Sequence, residues 1–155
     1  MMNEIIATSI GECWKTSIKT VMHNGEICND EDIEIKELQG LCVKILEPKL
    51  TDKIIEKFGD KNVILHTLEK FQKGVVMPNR PFTYGELIYN KNGVNQFEFL
   101  VERLKNKKET KSATVSLLDE KVKDANLPCL NIIDAKIRAD KLNLQFFLNS
   151  QNYTL

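Results

Sequence analysis

A cysteine stands at the start of a predicted β-hairpin near the C-terminal end of the chain. Pro128-Cys129 precedes the apolar, β-branched segment Leu130–Ile137, and a polar turn leads to the return segment Leu142–Leu148. The return strand runs into the polar cluster 149–152 at its far end. A cysteine thiolate is a strong nucleophile. The arrangement therefore suits a cysteine nucleophile that faces a polar ligand, and the alternative is a small apolar residue buried on a strand.

The remaining cysteines and the histidines have no spacing that is typical of a metal site. Cys13, Cys28 and Cys42 form no CxxC pair and are interpreted as structural residues. His23 and His66 are isolated, so we predict no zinc site and no other metal. A chain of this size does not need a disulfide scaffold. Neither a nucleophilic serine elbow nor a glycine-rich phosphate loop is present.

The composition is that of an ordinary globular protein. The chain has 155 residues, of which 42% are hydrophobic and 28% are charged, and its formal net charge is zero. A balanced charge argues against binding to a nucleic acid polymer, which normally requires a basic surface. No apolar run reaches the length of a membrane span, and the N-terminus lacks the features of a signal peptide. We therefore expect a single cytoplasmic domain over residues 1–155 with no membrane partner.

Hydrophobic periodicity predicts a mixture of helices and strands. Helices are predicted over 10–23, 61–73 and 94–104, and Thr51-Asp52 is expected to cap a short helix that ends at Phe58. Strands are predicted over 33–38, 41–46 and 113–118, in addition to the C-terminal hairpin. The polar segment 26–31 is interpreted as turn-like. This order indicates the α+β class, with a largely antiparallel or mixed sheet.

Several of these features occur in the order in which a known family has them. The chain resembles thymidylate synthases, particularly their shorter archaeal-type members and the pyrimidine-nucleotide hydroxymethylases, from Trp14 to Asn152. The segments that carry the resemblance are the turn at Gly25, Lys36-Glu37-Leu38, Val43–Pro48, Tyr84-Gly85, Asn92-Gly93, Val94–Leu104, Thr110–Leu118, Pro128-Cys129 and Leu142–Ser150.

The resemblance implies a fold, a reaction and a set of partners. The fold is a thymidylate-synthase-like mixed β-sheet flanked by helices, in a homodimer. Cys129 would attack C6 of a pyrimidine nucleotide such as dUMP or dCMP as a thiolate, which makes C5 nucleophilic. C5 would then accept a one-carbon unit from 5,10-methylenetetrahydrofolate or a related folate or pterin, by methylation or hydroxymethylation.

The resemblance also assigns roles to particular residues. Tyr84 joins Cys129 in the catalytic set, and Ser150 corresponds to a serine that contacts the substrate phosphate, in a motif that extends to Asn152. Lys111 lies in a segment that reaches the phosphate bound by the neighbouring subunit. From the residues themselves, Arg80 is the best loop candidate for an anion contact, since prolines flank it on both sides.

The chain departs from the family pattern at the phosphate contacts and at its end. Asn149 and Asn152 stand where the family has arginine and aspartate, and Lys111-Ser112 replaces paired arginines. The family's catalytic glutamate has only Glu69 or Glu86 as a candidate, and its base-reading segment lies beyond Leu155, as in a fragment or a reduced relative. The alternatives are a catalytically inactive thymidylate-synthase-like domain for nucleotide binding or protein assembly, or an unrelated α+β interaction domain.

Overall fold

A computed structural model describes residues 3–30, 32–78, 81–118 and 128–149. The elements are β1 Asn3–Ala7, α1 Ile10–Asn24, β2 Glu26–Asp30, β3 Ile33–Glu37, β4 Leu41–Ile45, α2 Lys53–Phe58, α3 Lys61–Lys70, α4 Tyr84–Tyr89, α5 Gln96–Asn106, β5 Thr114–Ser116, β6 Leu130–Arg138 and β7 Lys141–Leu148. The chain divides into two compact units, Met1–Lys61 and Asn62–Leu155. No helix in the described ranges is long and apolar enough to cross a membrane.

The first unit is built on a parallel pair of strands. β1 pairs with β4 over its whole length, and α1 packs against both strands. Ile5 and Ala7 are buried on the inner face of β1, which fits its alternating burial pattern. The sequence analysis assigns no element to this segment, which is short and whose partner strand lies almost forty residues away in the sequence. Its pairing is therefore set by non-local contacts rather than by local pattern.

The segment from Glu26 to Asp30 forms strand β2 and not the turn that its polarity suggested. It pairs with β3 as an antiparallel hairpin, from Glu26 opposite Glu37 to Asp30 opposite Ile33. Most β2 side chains are exposed, so polar residues are tolerated throughout the strand. The turn-like interpretation was wrong because the hairpin gains its stability from main-chain pairing.

Helix α2 begins at a cap that also contacts α1. The Asp52 carboxylate accepts hydrogen bonds from Ile54 N at 2.8 Å and Ile55 N at 3.3 Å, and also from Gly11 N in the first turn of α1 at 2.8 Å. A Cβ on Gly11 would lie 2.6 Å from Ile54 Cβ, which the backbone of α2 fixes, so this close approach requires glycine. The predicted Asp52 cap is confirmed, and it joins two helices.

The second unit places α5 across the antiparallel sheet β5–β6–β7. Leu100 of α5 packs with Ala113, Val115 and Ala135, all of them buried. A second cluster contains Leu87, Leu117 and Leu130, with aromatic rings from the preceding segments packed against it. The predicted helix over 94–104 is confirmed, with Asn95 as its N-cap. These two clusters fix the start of β6, where Cys129 stands.

The described strands include both parallel and antiparallel pairs, in separate sheets. Together with the five helices of the described ranges they confirm the α+β class. The C-terminal hairpin is confirmed as well, and it turns at Ala139 and Asp140, both of which have positive φ angles. The prediction of one domain over residues 1–155 stays a prediction.

Candidate functional site

Cys129 immediately precedes β6 and its side chain is exposed. Its main chain is held from two sides. The Cys129 carbonyl accepts a hydrogen bond from Asn149 N at 2.9 Å, and Cys129 N donates to the Tyr84 hydroxyl at 3.1 Å. Leu130 N donates to the same hydroxyl at 3.4 Å. The thiol is therefore carried on a fixed backbone while it stays accessible to a ligand.

Tyr84 is positioned by the start of α4. Thr83 and Glu86 form a capping box, in which Glu86 N donates to Thr83 Oγ1 at 3.2 Å and Thr83 N donates to Glu86 Oε2 at 2.7 Å. Thr83 Oγ1 also donates to Val75 O at 3.0 Å, which ties the cap to the preceding loop. Glu86 is thus occupied as a capping residue, which argues against its use as the family's catalytic glutamate.

An aromatic stack and a close backbone approach support the tyrosine ring. The rings of Phe71 and Tyr84 are stacked, with centroids 4.6 Å apart and planes within 9° of each other. A Cβ on Gly85 would lie 2.0 Å from the main-chain oxygen of Gln72, so only glycine fits there. The Tyr84-Gly85 pair therefore serves two purposes: the tyrosine reaches Cys129, and the glycine lets α4 approach the end of the preceding segment.

Two asparagines stand beside the cysteine. Asn149 is directly opposite Cys129 across the hairpin, so the two side chains lie on the same face with Cβ atoms about 5 Å apart. Asn131 is an extra residue in β6, at the irregularity between the pairs Leu130–Leu148 and Ile132–Phe147. Its Nδ2 donates to Asn149 Oδ1. The two amide side chains are therefore hydrogen-bonded to each other next to the start of β6.

Lys111 is exposed and lies toward the other end of the sheet. Ala113, two residues further on, accepts a hydrogen bond from Ala135 N, six residues along from Cys129. At about 3.4 Å per residue, this places the Lys111 segment about 20 Å from Cys129 within one chain. The structure therefore does not bring Lys111 and Cys129 together. Ser150, Asn152 and Arg80 lie outside the described residues.

A buried carboxylate further along β6 belongs to the sheet and not to the cysteine site. Burial of Asp134 opposes its ionisation, but hydrogen bonds from Lys136 and Thr114 outweigh this effect and keep the pKa of Asp134 below its usual value.

In the first unit, burial raises the pKa of the Cys13 thiol. Burial and three nearby carboxylates likewise raise the pKa of Cys28. These two thiols are correspondingly poor nucleophiles, which agrees with their interpretation as structural residues.

Proteins of known name were found by sequence similarity, although no family model matches the chain. It is 30% identical to a protein of Methanococcoides burtonii named "Putative thymidylate synthase", in an alignment that covers 96% of this chain and 70% of that protein. Proteins with the same name from Methanothermobacter marburgensis and Methanothermobacter thermautotrophicus are 26% and 27% identical, over 92% of this chain and 71% and 72% of theirs. The chain belongs to the thymidylate synthase family. This confirms the resemblance drawn from the ordered motifs.

In this member of the thymidylate synthase family, sequence reasoning predicted Cys129 and Tyr84, which the structure brings together, but it missed the residues that support them. Phe71 lies within the helix predicted over 61–73, which ends at Lys70 in the structure, and Asn131 lies within the predicted strand. The signal for Asn131 was a polar residue between Leu130 and Ile132 in an otherwise apolar run. A buried polar residue in such a run indicates a specific partner, which is Asn149.

Proposed function

We propose that this chain transfers a one-carbon unit to C5 of a pyrimidine nucleotide, by methylation or hydroxymethylation, with Cys129 as the nucleophile. One observation carries the proposal: in a chain of the thymidylate synthase family, an exposed cysteine stands at a strand start whose backbone is held by the Tyr84 hydroxyl and by Asn149 N. The proposal includes a thymidylate-synthase-like fold, a homodimer, and action in the cytoplasm as part of nucleotide synthesis.

The proposed chemistry starts from the Cys129 thiolate. Its Sγ forms a bond to C6 of the base, and the electron pair of the C5–C6 double bond moves to C5. C5 would then bond to the one-carbon unit and lose its hydrogen as a proton, and the bond between that carbon and the carrier nitrogen would break. For methylation a hydride from the tetrahydro form of the carrier would complete the methyl group, and for hydroxymethylation water would supply the hydroxyl group. The C5–C6 double bond forms again as the thiolate leaves C6. The hydrogen bonds from Cys129 N and Leu130 N to Tyr84 hold the backbone that carries the sulfur through both steps.

The one-carbon unit would come from a folate or pterin carrier such as 5,10-methylenetetrahydrofolate. The described polar groups near the Cys129 backbone include the Tyr84 hydroxyl and the amides of Asn131 and Asn149. These groups suit contacts with a nucleotide base.

The nucleotide phosphate is proposed to contact Ser150, with Asn152 and Arg80 as further substrate-binding residues. Lys111 is proposed to contact the phosphate bound at Cys129 of a second copy of the chain. A separation of about 20 Å from the cysteine of its own chain supports a role across subunits. Substrates with this chemistry are dUMP and dCMP.

The second candidate function is a catalytically inactive domain that binds a nucleotide or assembles with a partner. The observation that favours it is Asn149, which donates its N–H to the Cys129 carbonyl and stands where the family has an arginine. Thiolates form most readily next to a cation, and an asparagine at this position supplies no charge. An inactive domain would bind a nucleotide without forming a bond to its base.

Exchange of the C5 hydrogen with solvent separates the two functions. The purified chain is incubated with dUMP or dCMP tritiated at C5, and release of tritium to water is measured. We expect release by the wild-type protein and none by Cys129→Ala or Cys129→Ser, because exchange at C5 needs the bond at C6. Cys42→Ser is the matched control, since Cys42 is also an exposed cysteine. Equal release by the Cys129 and Cys42 variants would overturn the assignment of the nucleophile.

A further inference from the structure

We infer that Asn131 is a positioning residue that orients the Asn149 side chain, so that Asn149 presents its amide N–H groups to a ligand at Cys129. The ligand atom that these N–H groups would bind is an acceptor oxygen, either a base carbonyl or a phosphate oxygen of the nucleotide. The identity of the ligand rests on the proposed function. The orientation of the asparagine does not, and it is tested separately below.

The placement of Asn131 follows from the bulge in β6. Leu130 pairs with Leu148 and Ile132 with Phe147, so Asn131 has no counterpart in β7. Its main-chain oxygen accepts a hydrogen bond from Leu117 N at 2.7 Å, which anchors the bulge to the segment after β5. Leu130 on one side of the bulge is buried, and Ile133 on the other side packs against both apolar clusters. The position of Asn131 is therefore fixed by the packing around it.

The amide of Asn131 is buried and only half satisfied. The residue is 8% exposed, its Nδ2 donates to Asn149 Oδ1, and its Oδ1 has no hydrogen-bond partner among the described residues. A buried acceptor without a partner is unfavourable, so a leucine or valine would be the more stable choice if this position served packing alone. What the amide contributes is a donor aimed at Asn149.

That donor decides which end of the Asn149 amide faces outward. Asn149 is exposed and stands directly opposite Cys129, on the same face of the hairpin. Because its Oδ1 accepts from Asn131, its Nδ2 is the end directed away from the bulge. A primary amide nitrogen donates two hydrogen bonds and accepts none. A ligand at Cys129 would therefore meet a donor, which suits carbonyl or phosphate oxygens.

The orientation is measured first, by NMR on the wild-type chain without ligand. We expect the Asn131 side-chain NH₂ protons to be protected from exchange with solvent and the Asn149 NH₂ protons to exchange freely. The reverse pattern would mean that Asn149 donates to Asn131, and this would overturn the inference. The measurement does not depend on any activity of the protein.

The ligand contact is measured by a double-mutant cycle with Asn131→Leu, Asn149→Leu and the double variant, using the Kd for dUMP. We expect each single variant to weaken binding about tenfold, a loss comparable to one hydrogen bond, with no further loss in the double variant. Additive losses would mean that Asn131 does not act through Asn149, and the inference would fail. Asn149→Leu changes an exposed residue, so this variant should fold and give a Kd even if Asn131→Leu does not fold.

Two further results separate the possible acceptors and the two proposals. If the Asn149→Leu variant also binds deoxyuridine more weakly than the wild-type chain does, the acceptor is a base carbonyl. If only dUMP binding is weakened, the acceptor is a phosphate oxygen. If the wild-type chain binds neither compound, nor dCMP, the proposed function and the ligand contact both fail, while the NMR result still decides the orientation.

Discussion

At the scale of single residues, the cysteine depends on a tyrosine that is 45 positions away in the sequence. The Tyr84 hydroxyl accepts hydrogen bonds from both Cys129 N and Leu130 N, at the point where β6 begins. The stacked Phe71 ring and the capping box of α4 hold the tyrosine in place. Because these contacts fix the backbone and leave the thiol exposed, the site combines a rigid support with access for a ligand.

Removing the Tyr84 hydroxyl tests this support. Tyr84→Phe leaves two main-chain N–H groups without their acceptor, so we expect a loss of about 1 kcal/mol in the free energy of unfolding. We also expect release of the C5 hydrogen to fall about tenfold, because the backbone that carries the sulfur loses its support. Tyr89→Phe is the matched control, since Tyr89 lies on the same helix and its ring packs against Phe97. Equal release by the two variants would contradict a positioning role for Tyr84.

Some residues of this candidate site could be predicted from the sequence, and others could not. Cys129 could be predicted because an ordered series of motifs leads to it, and Tyr84 could be predicted with it for the same reason. The pair formed by Asn131 and Asn149 could not, because it depends on a one-residue bulge that shifts the register of β6. Alternation of apolar and polar residues does not reveal which residue is the extra one.

At the scale of elements, local chemistry explains which predictions succeeded. α1, α3 and α5 have apolar residues at helical spacing, and α1 and α5 also have side-chain caps at Ser9 and Asn95. Helical contacts span only a few residues, so the pattern suffices to predict them. β1 and β2 were missed because each depends on a partner strand, and β2 has no apolar face for a pattern to display.

The Asp52 cap that joins α1 and α2 predicts a pH dependence of stability. Hydrogen bonds from the Ser9 hydroxyl, from Gly11 N and from the first turn of α2 outweigh partial burial and lower the pKa of Asp52 from 3.8 to about 2. A carboxyl whose pKa is depressed by folding stabilises the folded state fully above its unfolded pKa, near 3.8. This contribution is lost as the pH falls through about 2.

We therefore expect Asp52→Asn to lower the urea midpoint at pH 7, where the ionised carboxylate accepts all these hydrogen bonds. The difference in urea midpoint between Asp52→Asn and the wild-type chain should shrink between pH 4 and pH 2, because the wild-type carboxylate becomes protonated over that range. Asp32→Asn removes the same charge from an exposed turn and serves as the control. If the two urea midpoints differ by the same amount from pH 7 to pH 2, the charge of the Asp52 carboxylate does not contribute to the cap.

At the scale of the whole molecule, the hairpin leaves apolar surface uncovered. Leu142, Leu144 and Phe146 share one face of β7 and are 58%, 50% and 52% exposed. They continue the face of β5 and β6 that α5 covers. Contiguous exposed apolar residues are typical of an interaction surface. Together with the position of Lys111, this surface supports the proposed association of two copies.

The separation of Lys111 from Cys129 makes the shared site testable by mixing inactive variants. If Lys111 of one copy contacts the phosphate bound at Cys129 of the other, then Lys111→Ala and Cys129→Ala should each lose release of the C5 hydrogen as pure proteins. In a hybrid dimer, one site combines an intact cysteine with an intact lysine. Random pairing makes half of the dimers hybrids with one working site each, so the mixture should recover about a quarter of the wild-type rate.

Two controls keep this result interpretable. A mixture of Cys129→Ala with Cys129→Ser contains no intact cysteine, and it should release nothing. Sedimentation velocity of the same mixtures reports whether dimers are present. If only the mixture of Lys111→Ala with Cys129→Ala recovers release of the C5 hydrogen, Lys111 and Cys129 must act from different copies. This agrees with the separation of about 20 Å between them within one copy. Dimers without recovery, or full release by the pure Lys111→Ala variant, would place the phosphate contact elsewhere and remove the reason for a shared site.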